Sequence, residues 1–251
     1  MSKLKKILSV SFLLFMGAQV FLWSFSFEPI SVDFAPEGRN STRSFRLKND
    51  SDEYVAVRIS MFSREIDIEG VESREPANDL FTVYPERLVL KPRSVQTVRV
   101  KWEGPSDIDS ELCFRILAEQ LPVDFSGSSS EESGVKIVLR YLGAVYITPE
   151  GAQPEVKVDK AELVHTMNGE NTAEITFFNA GTKHAVLTDL VLTLRTEKSG
   201  EEGALHFSPE ELEGVNGENL LPGSKRRFRI AVPESFEGEQ LSVEFQYQED
   251  N

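Results

Sequence analysis

Three histidines, one cysteine and several paired acids are the residues of this 251-residue chain best suited to chemistry. His165, His184 and His206 all fall in the second half, and none has a second metal-type ligand at a close, regular spacing. Turn or surface positions are therefore expected for them. The pairs Glu131–Glu132, Glu201–Glu202 and Glu210–Glu211 sit in loop-like surroundings. Adjacent loop carboxylates lack the contrasting environments that set one up as an acid and the other as a base, so they read as solvated faces. Cys113, between Leu112 and Phe114, reads as a core side chain and not as a nucleophile. As the single cysteine it allows no internal disulfide. There is no glycine-rich loop of the kind that cradles phosphate. No catalytic residue, metal or cofactor is expected, and the protein is read as a non-enzyme.

What remains is the chemistry of an unpaired strand. Ser133–Tyr141, SGVKIVLRY, follows a run of small and acidic residues, FSGSSSEE. In an extended chain Val135, Ile137, Leu139 and Tyr141 share one side, and Lys136, Val138, Arg140 and Leu142 the other. Both faces are partly apolar. Two readings stand: a strand buried on both faces inside a sandwich, or a strand that pairs with a partner and lends it alternate side chains.

The elements around this run are short and alternating: ISVDF, SFRLKN, YVAVRISMF, LFTVYP, VQTVRVKW, LCFRILAEQ and VKIVLRYLGAVYI, separated by NDSDE, KPRS and EGPSD. Many short strands at regular spacing predict antiparallel sandwiches, an all-β fold class. The N-terminal run FEPISVDF alternates Ile30, Val32 and Phe34 and reads as a first edge strand. Residues 1–26 stand apart, with Lys3, Lys5 and Lys6 ahead of an apolar run that ends in small residues at Ser24 and Ser26. This is the layout of a cleaved secretory signal. The other reading is a retained anchor, since the run approaches the length that spans a bilayer. The leader carries three lysines and no acid, so its removal takes the formal charge from −14 to −17. Such a field excludes nucleic acid and anionic lipid as partners and favours solubility.

An internal echo divides the chain. LVLKPRSVQTVRV, residues 88–100, is matched by NLLPGSKRRFRI, residues 219–230, and residues 44–60 are matched more loosely by residues 174–190. Both pairs run in the same order, which predicts two sandwiches of like topology. The boundaries expected are a leader over 1–26, a first domain over 27–149, a Pro/Gly linker over 150–154, and a second domain over 155–251.

Taken in order, the motifs SFRLKND, YVAVRISM, LFTVYPERLVLKPRSVQTVRVKW, ELCFRILAEQLP, a loop and VKIVLRYLGAVYITP resemble the periplasmic pilus chaperones of the PapD-like family. The likeness covers about residues 27–149; the second half resembles that family mainly through the Asn179 turn and LLPG at 220–223. It implies two immunoglobulin-like β-sandwich domains set in an L or boomerang, and a function in binding, stabilising and delivering pilus or surface-fibre subunits. The partners implied are those subunits and an outer-membrane usher, with no small-molecule substrate and no cofactor. Aligned back from Pro149, the resemblance gives Val135, Ile137 and Leu139 as donors that fill a subunit's open groove. Many members of that family anchor the subunit's terminal carboxylate with an arginine on the first strand and a lysine late on the donor strand. Those positions fall here on Ser31 and Ala144, which leaves Arg140, Lys136 and Arg115 as the candidate basic residues. Met61, Phe62 and the stretch Arg64–Asn78 are expected to form an extended hairpin covering an edge. The competing reading is a membrane-anchored tandem sandwich with a structural or adhesive role.

Overall fold

The alternation of Phe45, Leu47 and Asn49 with Ser44, Arg46 and Lys48 makes a strand buried on one face only, and most of the chain is built this way. The computed structural model describes residues 25–123, 125, 137–165, 171–200 and 202–249. The strands of the first half are β1 (Phe25–Glu28), β2 (Ser31–Phe34), β3 (Thr42–Asn49), β4 (Val55–Ser63), β5 (Glu65–Ile66), β6 (Glu72–Ser73), β7 (Phe81–Tyr84), β8 (Arg87–Leu90), β9 (Val95–Trp102), β10 (Leu112–Gln120) and β11 (Arg140–Ile147). Two sheets, ordered β1-β3-β9-β7 and β2-β11-β10-β4-β8, close on one core that includes Phe45, Leu47, Ile59, Met61, Val98, Ile116, Val145 and Ile147.

The second half contributes β12 (Val156–His165), β13 (Asn171–Asn179), β14 (Ala185–Val186), β15 (Thr188–Thr196), β16 (Leu205–Phe207), β17 (Asn219–Leu220), β18 (Lys225–Val232) and β19 (Leu241–Gln248). Sheets β12-β13-β18 and β16-β15-β19 enclose a separate core around Ile175, Phe177, Leu187, Leu192, Leu194 and Phe228. The architecture is thus two immunoglobulin-like sandwiches, as the strand pattern predicts.

The internal echo extends to single atoms. Asn49 and Asn179 are both fully buried. The Asn49 amide donates to the carbonyls of Glu53 and Leu90, and its Oδ1 accepts from Ser51 N–H. The Asn179 amide donates to Lys183 and Leu220, and its Oδ1 accepts from Gly181 N–H. The N–H groups of the two asparagines reach the carbonyls of Ser94 and Ser224. Each asparagine ties the end of one strand to the turn before another, satisfying backbone groups that burial would otherwise leave unpaired.

The N-terminal segment changes sheets. β1 pairs with β3 in one sheet; past Pro29, which has no N–H to give a ladder, β2 pairs in parallel with β11 in the other. Ile30 precedes β2 and is exposed, Val32 is half-buried against the core, and Phe34 is fully buried.

Candidate functional site

β11 is flanked unevenly. On one side β10 runs antiparallel to its whole length, from Glu119 opposite Arg140 to Leu112 opposite Ile147. On the other side β2 covers only Ala144–Ile147, with one further bond from Ala144 N–H to the Ile30 carbonyl. The carbonyl of Leu139 accepts from Gln120 N–H on the β10 side. Because backbone groups alternate between neighbours, those of Arg140 and Leu142 face the other side. No strand among the described residues pairs there. The sheet switch at Pro29 therefore leaves an open edge along the first half of β11.

Side chains follow the same parity. Tyr141, Val145 and Ile147 belong to the first core, with Leu139 packed partly against it. Tyr141 sits edge-on to Phe25, ring centroids 4.9 Å apart, and its hydroxyl donates to the Phe25 carbonyl. Ile137 shares that parity but lies past the end of the core and is 60% exposed. The strand expected over 133–141 is a ladder only from Arg140, since β10 ends at Gln120. Val135 and Lys136 lie outside the described residues.

The even-numbered positions face the other way. Ala144 and Tyr146 pack with Leu221 of the second sandwich, against half-buried Ile66 and Cys113. Burial raises the Cys113 thiol above its ordinary range, aided by the Glu111 carboxylate. Further contacts cross between the sandwiches here. The Tyr146 hydroxyl accepts from Arg64 (3.0 Å) and from the Asn219 amide (2.8 Å), and the His184 ring stacks on Tyr146 at 3.8 Å. The fully buried Glu111 carboxylate meets His184 Nδ1 at 2.7 Å and accepts from the Thr148 hydroxyl at 2.9 Å. His184 is thus not the turn or surface histidine its sequence context suggests. It is a half-buried bridge between the two halves.

The positions that the resemblance gives to a basic pair are direct register partners, Ser31 on β2 opposite Ala144 on β11. Neither carries charge. Of the three substitutes, Arg115 is bound to Glu72 at 2.6 Å and is largely buried. Arg140 pairs with Glu119 at 2.7 Å while staying 68% exposed, and Glu119 also holds Arg58 at 2.6 Å. The Arg58 hydrogen bond, joined by the charge of Arg140, keeps the Glu119 carboxyl below its ordinary value. Beside Ser31 and Asp33 opens a cavity of about 400 Å³, lined from the second sandwich by Lys183, His184, Val186 and Tyr247. Lys183 has no ion-pair partner among the described residues. Sequence reasoning missed it, because nothing in TKHAV marks a cleft.

No protein-family model matches the sequence, and no curated protein matches it significantly. Solved structures do match in fold. The class 5 fimbriae chaperone CfaA superposes with a TM-score of 0.57 at 14% identity, over 90% of this chain and 100% of that one. A chaperone–tip adhesin complex of CFA/I fimbriae biogenesis gives 0.56 at 14% identity, over 89% and 98% of the two chains. The CsuC–CsuE chaperone–tip adhesin subunit pre-assembly complex of the archaic Csu pili of Acinetobacter baumannii gives 0.53 at 13% identity, over 82% and 89%. The two-sandwich fold of the fimbrial chaperones is therefore the fold of this chain.

Proposed function

We propose that this chain, built on the fold of the fimbrial chaperones, is a periplasmic chaperone that binds, stabilises and delivers pilus or surface-fibre subunits. It acts by binding alone, without catalysis. The leader directs export and ends before the expected Ser26, because Phe25 and Ser26 already pair in β1 and Phe25 is buried in the first core. The domain that lends a strand follows, up to residue 149, and residues 155–251 form the second domain across the cleft. The client is a β-sandwich subunit lacking its last strand, and an outer-membrane usher receives it.

The observation that carries this reading is the open edge of β11 beside the exposed Ile137. A subunit strand adding there satisfies the outward backbone groups of Arg140 and Leu142, while Val135, Ile137 and Leu139 enter the subunit's groove. Each of these side chains contributes roughly 1.5–3 kcal/mol when fully removed from water. The same pairing blocks the subunit's own edge, which would otherwise template aggregation. Two of the structural neighbours are chaperone–tip adhesin complexes, which supports a client of this kind.

The test is co-expression of the full chain with a fibre subunit from its own cell, followed by isolation of the complex. A one-to-one complex that survives purification is the expected result. A subunit that stays soluble and assembles equally well without the chain would sink the proposal.

A further inference from the structure

The hairpin between β4 and β7 does more than cover an edge. Its tip is rigid: Asp67 Oδ1 accepts from the N–H groups of Glu69 (2.9 Å) and Val71 (2.8 Å). That tip reaches the second sandwich. The Ile68 carbonyl accepts from Arg227 N–H on β18 at 2.8 Å. The Glu69 carboxylate lies 3.3 Å from Arg227 and 3.0 Å from Arg229, and Glu174 on β13 closes the cluster at 3.2 and 3.1 Å from the same two arginines. Gly70 has a φ of +88°, a conformation that strains any residue with a side chain, and it lies against the Arg226 guanidinium, which would have to move to admit a Cβ.

At its base the hairpin is held to the first sandwich. Glu72 on β6 binds Arg64 at 2.9 Å and Arg115 of β10 at 2.6 Å, and Arg64 goes on to the Tyr146 hydroxyl. The internal echo shows where the fit was built. Val95, Gln96 and Thr97 at the start of β9 correspond to Lys225, Arg226 and Arg227 at the start of β18. The repeat departs toward basic residues on the strand that the acidic tip of the hairpin meets.

We propose that the Glu65–Ser73 hairpin is a strut that fixes the angle between the sandwiches. Contacts between domains of one chain ordinarily permit relative motion. Here a second attachment removes that freedom. Glu111 and Tyr146 meet the second sandwich at His184 and Asn219, and the hairpin meets it separately at β18. Two attachments on different strands oppose rotation about either one. The strut also holds the cleft at a set distance from the open edge of β11, because Arg115 is the register partner of Ala144 on that strand. Its consequence for a client rests on the function proposed above; the strut itself does not.

The experiment places spin labels at Thr97→Cys on β9 and Ser242→Cys on β19, both exposed, in a Cys113→Ala background of the full chain, and measures their distance distribution. Two variants are compared with this parent. Glu69→Arg sets a like charge against Arg227 and Arg229. In the other variant Ile68–Gly70 is replaced by Asn-Gly, which shortens the tip to a two-residue turn and leaves Glu72 in place. The parent is expected to give one narrow distance, and both variants a broad distribution with the near-ultraviolet dichroism of each core retained. A distribution as narrow in both variants as in the parent overturns the strut, whatever client binding does. Broad distributions with undiminished client binding support the strut and count against a preformed cleft in client capture.

Discussion

Replacing Ile137 with aspartate separates a lent side chain from a core one. In the free chain Ile137 is 60% exposed. A surface substitution away from caps and networks changes stability by about 0.5 kcal/mol or less, so the chain should melt almost unchanged. In a complex the same side chain is to be buried. Full burial of an isoleucine is worth ~1.5–3 kcal/mol, and about three-fifths of it remains to be gained on docking, or roughly 1–2 kcal/mol. Aspartate forfeits that gain and also places a carboxylate against apolar groove atoms, at a further cost of at least about 2–3 kcal/mol. The sum, ~3–5 kcal/mol, corresponds to a loss of affinity of roughly 10² to several 10³-fold. Ile137→Ala, which loses only the burial, should weaken binding by about 5- to 30-fold. The assay is calorimetric titration of a subunit whose last strand has been deleted, beside thermal melts of each variant alone. Aspartate binding within a factor of three of wild type would refute the reasoning, as would a large fall in the chain's own melting temperature. Leu139→Asp is a poorer probe, because Leu139 already packs against the first core and its loss would unsettle the chain itself.

The asparagine echo predicts that Asn49→Leu and Asn179→Leu each destabilise their own sandwich by a similar amount, about 2–4 kcal/mol, because each strands the same buried backbone groups; differential scanning calorimetry of the two variants checks this. At the hairpin base, burial disfavours ionisation of Glu72, but its bonds to Arg115 and then Arg64 outweigh that and hold its carboxyl below the usual 4.5. The folded value is the lower one, so this contribution is complete above pH 4.5 and is lost as pH falls through the folded value; denaturant melts of Glu72→Gln should show a shallower loss of stability in acid than wild type. Lys183 lines the cleft cavity and has no ion-pair partner among the described residues, so on the proposed function Lys183→Ala should weaken a client with a free terminal carboxylate by about 1 kcal/mol, roughly fivefold in Kd, and should not affect one whose terminus is amidated.

Alternation made the strands legible. Phe45 and Leu47, or Val98 and Val100, fall inward because period-two patterns have only one way to bury a single face. The asparagine turns were visible as an echo, although the atoms they bind were not, since Leu90 and Leu220 lie far along the chain. What sequence could not supply is the pairing of distant charges. His184 meets Glu111 across 73 positions, and neither sits in a motif. The hairpin was visible as a segment, but its destination depends on Glu69 meeting Arg227 and Arg229, a contact set by the fold of both sandwiches. The sheet switch at Pro29 is a similar case. FEPISVDF reads as one edge strand; Pro29 interrupts its ladder, and the pairing of β1 with β3 and of β2 with β11 splits it in two.

Arg140 was a candidate for anchoring a client carboxylate, and its place on β11 argues for a different role. Its parity is opposite to that of Leu139 and Tyr141, so it projects neither toward the core nor into a groove filled from that side. The Ser31–Ala144 pair lies further along the strand, and Arg140 is drawn instead toward Glu119 and Arg58 on the outer face. An open edge invites pairing between copies of the same chain, and charge on the edge is the usual defence. The proposed function gives Arg140 that part: a mostly exposed guanidinium on the stretch of β11 that has β10 on one side and, among the described residues, no strand on the other. Two copies approaching edge to edge, antiparallel, would bring like charges together there, whereas a subunit strand lacking a cation at that position would not meet the same repulsion. On the proposed function, the edge thus stays open to a client strand while resisting its own copies.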